Sequence, residues 1–402
     1  MTDKIHHHLR ETKFKELLAQ TNDGPFLIDV EKAEGIYIWD KDGKRYTDMI
    51  SGVGVNNIGH SHPKVINAIK EQLNRHMHVM VYGEFIQDSQ LTAAERLSKH
   101  LPEQLNCTYF VNSGTEANEG ALKLAKRFTG RTEVIACKAS YHGSTHGSLS
   151  ATGNETKKNS FRPLLPDIHF VQFNVEAELS KITKKTAAFI LEPIQGDAGV
   201  RIPSKDYLKA VRKRCSETGT LLIFDEVQTG IGRCGSMFAF EHFDVVPDIL
   251  TLGKALGGGM PVGAFVSSKE IMHSLTSNPM LGHITTFGGH PVICAAVDAC
   301  LEVLETEDWI HKCEEKGALL EQLLAGHSSV KEIRRKGLLF AIELESAEKV
   351  QQVVEKCLEK GVISFWFLSN PESFRLAPPL SISLEEIRDT AILIKSTLGK
   401  NT

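Results

Sequence analysis

The feature of this sequence that most limits its fold is a regular alternation of short apolar runs with amphipathic stretches, starting at residue 107. The apolar runs are rich in β-branched and aromatic residues and read CTYFV, EVIAC, AAFILE, LLIFD, DILTL and GAFVS. Between them lie stretches with helical periodicity, such as ANEGALKLAKRF and LKAVRKRCSE. Apolar strands alternate with helices in this way when helices cover both faces of a parallel sheet. The sequence therefore predicts an α/β fold with a mostly parallel sheet.

The segments before and after this alternation have a different character. GIYIWDKDGKRYTDMI contains an Asp-Gly pair between two strand-like runs, which predicts a hairpin because glycine accepts the positive φ of a tight turn. VICAAVDACLEVLE, which begins at residue 292, predicts a long buried helix, and further amphipathic runs follow it. We therefore predict that residues 51–291 form a large domain. Residues 1–50 and 292–402 are expected to form a smaller α+β domain.

Charge and cysteine usage narrow the class of partner. Lys and Arg number 46 and Asp and Glu number 50, a net charge of −4 that offers no positive field for nucleic acid or an anionic membrane. The eight cysteines show no C-x-x-C or metal-finger spacing, and no run of eighteen apolar residues occurs. We interpret His6 to His8 as incidental. The expected protein is cytoplasmic, binds small molecules and has no metal site.

The first candidate site is the turn between CTYFV and the helix that follows it. Ser113 and Glu116 fit a capping box around Gly114 and Thr115. Small residues at the start of a helix expose backbone N–H groups, and the helix dipole adds partial positive charge, which favours a phosphate. A well-capped helix without a ligand is the alternative from this motif alone.

Two further candidates follow apolar strands. Asp225 ends LLIFD at the carboxyl edge of the sheet, where it could hold a metal, a sugar hydroxyl or a protonated ring nitrogen, or serve as a cap or salt-bridge partner. Lys254 stands between a strand and a triple glycine, an unusual place for a residue that prefers solvent. A partly desolvated lysine has a lowered pKa and forms Schiff bases, although it could also bind a phosphate.

A literal G-x-G-x-x-G occurs at residues 230–235. A dinucleotide-binding fingerprint follows a strand directly and opens a helix. Here the preceding strand ends at Asp225, and SMFAFEHFDVVPD after the last glycine has no clear helical pattern. We therefore reject the NAD interpretation.

Taken together, the motifs resemble the class III pyridoxal-phosphate-dependent aminotransferases, which include acetylornithine, ornithine and 4-aminobutyrate aminotransferases. The resemblance covers nearly the whole chain and rests on SGVGVNNIGHSHPKV, NSGTEANE, YHG, EPIQG, DEVQTGIGRCG, PDILTLGKALGGGMPVGA, TTFGGHP and FRLAPPL. It implies the fold type I architecture of pyridoxal-phosphate enzymes and pyridoxal 5′-phosphate as cofactor.

The resemblance also implies roles for individual residues. Lys254 would bind the cofactor covalently and act as general base, and Asp225 would keep the pyridine nitrogen protonated so that the ring accepts electrons. Thr286 would reach the phosphate of the neighbouring subunit, which implies a homodimer with shared active sites. The other implied cofactor contacts are phosphate binding by Gly114 and Thr115, ring stacking by Tyr141, a contact of Gln228 with the phenolic oxygen, and lining of the same turn by Glu226 and Val227.

Four residues bear on the substrates. Arg375 resembles the arginine that binds the α-carboxylate, and Glu192 resembles the acid that pairs with that arginine when the other substrate enters. Thr285 is expected to line the donor pocket. Ser144 stands where members acting on acetylornithine, ornithine or 4-aminobutyrate generally carry an arginine, and a serine cannot form the ion pair to a distal carboxylate. Either another cation substitutes for that arginine, or the donor does not end in a carboxylate in the usual way.

We therefore expect a transaminase with ping-pong kinetics. It would move an amino group from an ω-amino acid or related amine, acetylornithine or ornithine being favoured, to a 2-oxo acid such as 2-oxoglutarate. An aminomutase or decarboxylating enzyme of the same fold is one alternative. A pyridoxal-phosphate-binding protein without catalysis is a more distant one.

Overall fold

A computed structural model describes residues 2–399, with the side chains of residues 2–8 outside the description. The side chains of His6 to His8 therefore lie outside the described part. The helices, in chain order, are α1 (Thr2–Leu17), α2 (Ser51–Gly54), α3 (Pro63–Arg75), α4 (Asp88–Lys99), α5 (Gly114–Thr129), α6 (His146–Ala151), α7 (Glu155–Lys158), α8 (Lys205–Thr218), α9 (Lys269–His273), α10 (Pro291–Thr306), α11 (Cys313–Leu324), α12 (Ala347–Glu359) and α13 (Leu384–Lys395).

The strands form three sheets. In chain order they are β1 (Val30–Glu34), β2 (Tyr37–Asp40), β3 (Arg45–Asp48), β4 (Cys107–Val111), β5 (Glu133–Cys137), β6 (Ile168–Val171), β7 (Thr186–Leu191), β8 (Leu221–Asp225), β9 (Ile249–Gly253), β10 (Gly263–Ser267), β11 (Glu332–Lys336), β12 (Leu339–Glu343), β13 (Val362–Ile363), β14 (Phe365–Trp366) and β15 (Ser373–Leu376). The apolar runs noted in the sequence correspond to the strands of the central sheet.

The central sheet has seven strands in the order β4-β10-β9-β8-β7-β5-β6. Its neighbours are parallel except for β10, which runs antiparallel to both β4 and β9. Every residue of β7, β8, β9 and β10 is buried, as expected for strands covered on both faces. The predicted mostly parallel α/β sheet is confirmed.

Helix α5 packs closely on one face of this sheet because it carries a glycine at the contact. A Cβ atom on Gly120 would lie 2.3 Å from the Phe265 ring. Ala117, Ala121 and Leu124 of the helix are buried against the same face. This packing fixes the N-terminus of α5 beside the ends of β8 and β9, so three elements converge at one edge.

The terminal segments carry two smaller sheets. In one, β1, β2 and β3 form an antiparallel meander, and β13 pairs in parallel with β3, with Val362 opposite Thr47. The other has the order β11-β12-β15-β14 and presents Arg375 from β15. The pairing of β3 with β13 joins the two ends of the chain in one sheet. The predicted boundaries at residues 50 and 292 stay a prediction.

The G-x-G-x-x-G segment forms turns and opens no helix. Arg233 inside it is buried, and its guanidinium donates to the carbonyl oxygens of Leu338 and Pro378 and to the Oδ1 atom of Asn57. These partners come from the C-terminal segment and from the large domain. The glycines therefore shape a turn around a structural arginine.

Within residues 2–399, no helix is both long enough and apolar enough to cross a membrane.

Candidate active site

Lys254 follows β9 at the carboxyl edge of the central sheet, in a 3-10 turn, Lys254–Gly257, with a positive φ of 43°. The chain enters this turn next to helix α5, since a Cβ on Gly253 would lie 3.2 Å from the Cα atom of Gly114. Burial, reinforced by the positive charge of Arg375, lowers the pKa of Lys254 to about 8. A substantial fraction of this amine is therefore neutral near physiological pH.

Asp225 is buried at the end of β8 and holds three hydrogen bonds. Its Oδ2 atom accepts from Nδ2 of Asn118 at 2.7 Å and lies 2.7 Å from Nδ1 of His142, and its Oδ1 atom accepts from the backbone N–H of Val227 at 3.0 Å. Asn118 is itself held because its Oδ1 atom accepts from the hydroxyl of Thr251 at 2.7 Å. The carboxylate is thus fixed in place by neighbours on three elements.

A cleft of about 220 Å³ lies between these groups. The sequence-predicted residues that line it are Gly114, Thr115, Tyr141, Ser144, Glu192, Asp225, Val227, Gln228 and Lys254. Asn118, His142 and Gly143 complete the lining. The structure therefore gathers most of the predicted site, from five separate segments of the chain, around one lysine.

The side of the cleft next to the start of α5 has no room for larger residues at its glycines. A Cβ on Gly114 would lie 2.5 Å from Cγ1 of Val227, and a Cβ on Gly143, which has a φ of 128°, would lie 2.3 Å from Oγ1 of Thr115. Ser113 caps α5 by accepting from the backbone N–H of Glu116 at 3.3 Å, as the capping motif predicts. The first turn of α5 is thereby open to an anion at its N-terminus.

Gln228 and Glu226, two residues apart, point to different surroundings. The Nε2 atom of Gln228, which lines the cleft, is buried without a hydrogen-bond partner among the described residues. Glu226 does not line the cleft, because its carboxylate accepts from the backbone N–H groups of Ala239 and Phe240 and from the hydroxyl of Thr229. The structure therefore does not bring Glu226 to the predicted cofactor contacts.

Tyr141 and Ser144 lie on the loop that borders the cleft. The backbone N–H of Tyr141 donates to Oε1 of Glu192 at 3.1 Å, and burial raises the pKa of the Tyr141 phenol. Ser144 is exposed at the cleft. Among the described residues, the cleft lining contains no cation apart from Lys254.

The acid paired with Arg375 in this structure is Asp197, and the predicted pairing of Arg375 with Glu192 during the reaction stays a prediction. Nη2 of the buried Arg375 lies 2.9 Å from Oδ1 of Asp197. Both oxygens of Glu192 are engaged elsewhere, with the backbone N–H groups of Tyr141 and Gly196, and burial raises the pKa of Glu192 to about 7. Asp197 takes the pairing because Glu192 is held by its own turn.

Thr285 and Thr286 lie away from the cleft of this chain. The Oγ1 atom of Thr285 accepts from Nδ2 of Asn112 at 2.9 Å and lines a separate surface cavity with residues 81–91. Thr286 is exposed. The structure of one chain therefore does not bring either threonine to Lys254.

Sequence reasoning missed Asn118, His142 and Asp197. Asn118 stands one helical turn after Gly114, on the same face of α5, so helical spacing could have found it. His142 was quoted within YHG without a role, and Asp197 directly follows EPIQG. Each lies within or beside a motif already singled out.

The residues of the cleft fit pyridoxal phosphate. Besides Gln228, the buried atoms His142 Nε2 and Arg375 Nε have no partner among the described residues, which leaves polar atoms available to a ligand. A lysine of lowered pKa, a fixed carboxylate and a helix N-terminus match the aldehyde, ring nitrogen and phosphate of that cofactor. The fold and the site thus define a pyridoxal-phosphate-dependent enzyme of fold type I.

Comparison with known proteins gives the family. Residues 18–398 match the family described as Aminotransferase class-III, and the chain belongs to it. The acetylornithine aminotransferase of Methanocaldococcus jannaschii is 43% identical over 381 residues, covering 90% of this chain and 92% of the relative. That of Bacillus subtilis is 39% identical, covering 94% and 97%. The chain is therefore an aminotransferase.

Solved structures agree with this assignment. An ornithine aminotransferase from Toxoplasma gondii, described with partial occupancy of PLP at its active site, superimposes with a TM-score of 0.90 at 31% identity. The match covers 98% of this chain and 94% of that one. The predicted fold type, the cofactor and the class of enzyme are confirmed.

Proposed function

We propose that this enzyme transfers the amino group of an ω-amino acid, with acetylornithine or ornithine as the favoured donor, to a 2-oxo acid such as 2-oxoglutarate. The observation that carries the proposal is a partly buried Lys254 of lowered pKa beside the buried Arg375–Asp197 pair. One group serves an amine and the other a carboxylate, the two functions that transamination requires. The names of the relatives at 39% and 43% identity support the choice of donor.

The chain's own residues provide distinct places for the cofactor. Gly114 and Thr115 would hold its phosphate, Asp225 its ring nitrogen, Gln228 its phenolic oxygen and Lys254 its aldehyde carbon. When bound, pyridoxal phosphate supplies an electron sink for the electron pair released when a C–H bond of the donor breaks. Tyr141, bordering the same cleft, is the proposed stacking partner.

Lys254 is proposed as both the attachment point and the proton carrier. Its lowered pKa of about 8 makes the neutral amine available at neutral to mildly alkaline pH. A neutral Nζ can accept a proton from the donor carbon and return it to another carbon within the cleft, which is the work of a general base. Asp225, held by Asn118 and His142, keeps its negative charge directed at the ring nitrogen.

Arg375 is the proposed carboxylate receptor. Its planar guanidinium can bind a carboxylate with two parallel hydrogen bonds, and its buried Nε still lacks a partner among the described residues. An incoming 2-oxo acid would compete with Asp197 for this guanidinium. A donor that enters with its ω-amine first presents no carboxylate there and leaves the Arg375–Asp197 pair intact, so one cleft can serve both substrates.

We further propose a cytoplasmic homodimer. Exposed apolar side chains concentrate in residues 77–91 and 280–287, including Ile86 at 93% and Met280 at 78% exposure. The two stretches adjoin, because the His78 and Phe287 rings are 5.2 Å apart. Contact between such an apolar surface and water is unfavourable, so the surface supports an interface between subunits. Thr286 lies within it, which supports its proposed contact with the partner's phosphate site.

The function is tested by half-reactions with the purified full-length protein. Acetylornithine, ornithine, lysine, 4-aminobutyrate, β-amino acids and simple amines are each added without an acceptor, and the absorbance of the bound cofactor is followed. We expect rapid conversion with acetylornithine or ornithine, reversed by 2-oxoglutarate, and none in Lys254→Ala. Conversion only by amines without a carboxylate would overturn the proposed donor, and continued product formation without an acceptor would overturn transamination.

A further inference from the structure

Three hydroxyl groups meet beside the phosphate end of the cleft. The Oγ1 atoms of Thr115 and Thr145 are 2.8 Å apart, and Oγ1 of Thr145 is 2.9 Å from Oγ of Ser148. The Ser148 hydroxyl is also within hydrogen-bond distance of Thr115. Thr115 belongs to the first turn of α5, whereas Thr145 and Ser148 belong to the loop and helix that follow Ser144. The cluster therefore joins the phosphate turn to the loop bordering the substrate cleft.

The carboxylate of Glu119 accepts hydrogen bonds from this cluster. Oε1 of Glu119, one helical turn after Thr115, accepts from the hydroxyl of Thr145 at 2.5 Å and from the backbone N–H groups of Gly147 and Ser148 at 2.8 Å and 3.0 Å. The fit leaves no room for a side chain at residue 147, where a Cβ would lie 2.1 Å from Oε2 of Glu119. Glu119 thus clamps the loop onto α5.

The donors and acceptors in this cluster limit which hydroxyl group donates to which oxygen. An ionised carboxylate only accepts hydrogen bonds, so the Thr145 hydroxyl proton is committed to Glu119. The Ser148 hydroxyl can then donate to Oγ1 of Thr145, to Oγ1 of Thr115 or to the carbonyl oxygen of Thr145 at 3.3 Å, and the backbone N–H of Thr145 donates to Oγ1 of Thr115 at 3.3 Å. When Ser148 donates to Oγ1 of Thr115, no proton of Thr115 is needed for that contact, and the Thr115 hydroxyl can donate to a ligand that only accepts.

We propose that Glu119 is a positioning residue that fixes the loop of residues 143–148 against α5 and leaves the Thr115 hydroxyl to donate to the cofactor's phosphate. This inference rests on the proposed cofactor site and extends it to a residue that does not line the cleft. Glu119 contacts neither substrate nor cofactor in this role. It acts through Thr145 and Ser148.

A positioning role and a purely electrostatic role predict opposite effects. A negative charge near a phosphate repels it, so removing only the charge should tighten phosphate binding. Glu119→Gln removes the charge but keeps an oxygen that can accept from Thr145, Gly147 and Ser148. Glu119→Ala removes both. The positioning role predicts that Glu119→Ala binds the cofactor weakly and that Glu119→Gln binds it nearly as tightly as the parent protein. The electrostatic role predicts that both variants bind the cofactor at least as tightly as the parent protein.

The test is an equilibrium titration of the full-length, cofactor-free chain with pyridoxal phosphate and, separately, with pyridoxal, which lacks the phosphate. For Glu119→Ala we expect the dissociation constant of pyridoxal phosphate to rise about tenfold or more, the usual effect of losing a hydrogen bond to a charged group. For pyridoxal we expect a change below about twofold. Glu155→Ala, which removes an exposed carboxylate on α7, is the charge-matched control and should match the parent.

A further variant tests the hydrogen bond between Thr145 and Glu119. Thr145→Val preserves shape and removes one hydroxyl, so it should weaken pyridoxal phosphate binding, and its effect should not add to that of Glu119→Ala because the two act through one bond. Unchanged pyridoxal phosphate binding in Glu119→Ala, or equal loss of both ligands, overturns the inference. Failure of the parent protein to bind pyridoxal phosphate would instead overturn the proposed cofactor site.

Discussion

Nη2 of Arg375 and Oδ1 of Asp197 lie 2.9 Å apart and form a buried ion pair whose charges act on Lys254. The guanidinium also stacks on the Phe367 ring, its central carbon 4.4 Å from the ring centroid. Burial keeps the guanidinium of Arg375 in one position, where it can bind a planar anion. Asp197 neutralises the charge of Arg375 when no other anion is bound. Carboxylate binding at this site is therefore an exchange of one anion for another.

Replacement of Asp197 should favour the acceptor substrate. In Asp197→Asn the competing anion is lost, and we expect KM for 2-oxoglutarate to fall about tenfold, equivalent to about 1.4 kcal/mol. The free energy of unfolding should fall by about 3 kcal/mol because Arg375 stays buried without a counterion. Steady-state kinetics and denaturant unfolding measure the two effects. Glu192→Gln is the control, and a larger drop in KM there would reinstate Glu192 as the partner of Arg375.

His142 should matter for turnover through Asp225. Nδ1 of His142 lies 2.7 Å from Oδ2 of Asp225, and hydrogen bonds to charged groups contribute about 1.5–3 kcal/mol. We expect His142→Phe to lower kcat by about ten- to a hundredfold, whereas His142→Asn, whose amide can donate at the same place, should retain most activity. Equal kcat values for the two variants would contradict a role for this hydrogen bond.

Uptake of the cofactor should depend on pH through Lys254. Its pKa is lowered to about 8, so the reactive neutral amine increases as pH rises and predominates above that value. The rate at which the cofactor-free chain takes up pyridoxal phosphate should therefore rise with pH, with a midpoint near pH 8, and level off about one pH unit above it. Arg375→Gln should move the midpoint upward because the arginine charge lowers this pKa. A midpoint near 10, the ordinary value for lysine, would contradict the prediction.

Glu226 should affect stability without affecting cofactor binding. Burial raises its pKa to about 7 from 4.5, so the folded state binds the proton more tightly than the unfolded state does. Its contribution is then fully present below pH 4.5 and is lost as pH rises to 7. Glu226→Gln should remove this slope and lower the free energy of unfolding by about 1–3 kcal/mol. Weaker pyridoxal phosphate binding in this variant would contradict the prediction and support a contact of Glu226 with the cofactor.

The apolar surface should control assembly. Ile86 is 93% exposed and adjoins residues 280–287, so Ile86→Asp should place a charge in the proposed interface and shift the protein from dimer to monomer in sedimentation experiments. Ile392→Asp, at a 66% exposed isoleucine on α13, is the matched control. A dimer unaffected by Ile86→Asp, or dissociated equally by both changes, would contradict this placement.

Much of the fold was predictable because its signals are local. Apolar strands and amphipathic helices each follow from a few neighbouring residues, and the antiparallel β10 is the one strand of the central sheet that breaks the parallel pattern. Lys254 and Asp225 could also be found locally, since each directly follows a strand whose carboxyl end faces the ligand edge of such a sheet. Their roles became specific only through the order of motifs along the chain.

By itself, the sequence determined the α/β sheet and the chemistry available at its edge. Only the tertiary structure decided that Asp197, 178 residues from Arg375, is its partner, that Asn118 and His142 fix Asp225, and that Glu226 turns away from the cleft. The physical reason is that helix and strand signals arise between neighbouring residues, whereas a pairing depends on where distant segments meet. Glu192 and Asp197 stand only five residues apart, but backbone N–H groups hold Glu192 while the fold places Asp197 within 2.9 Å of the arginine.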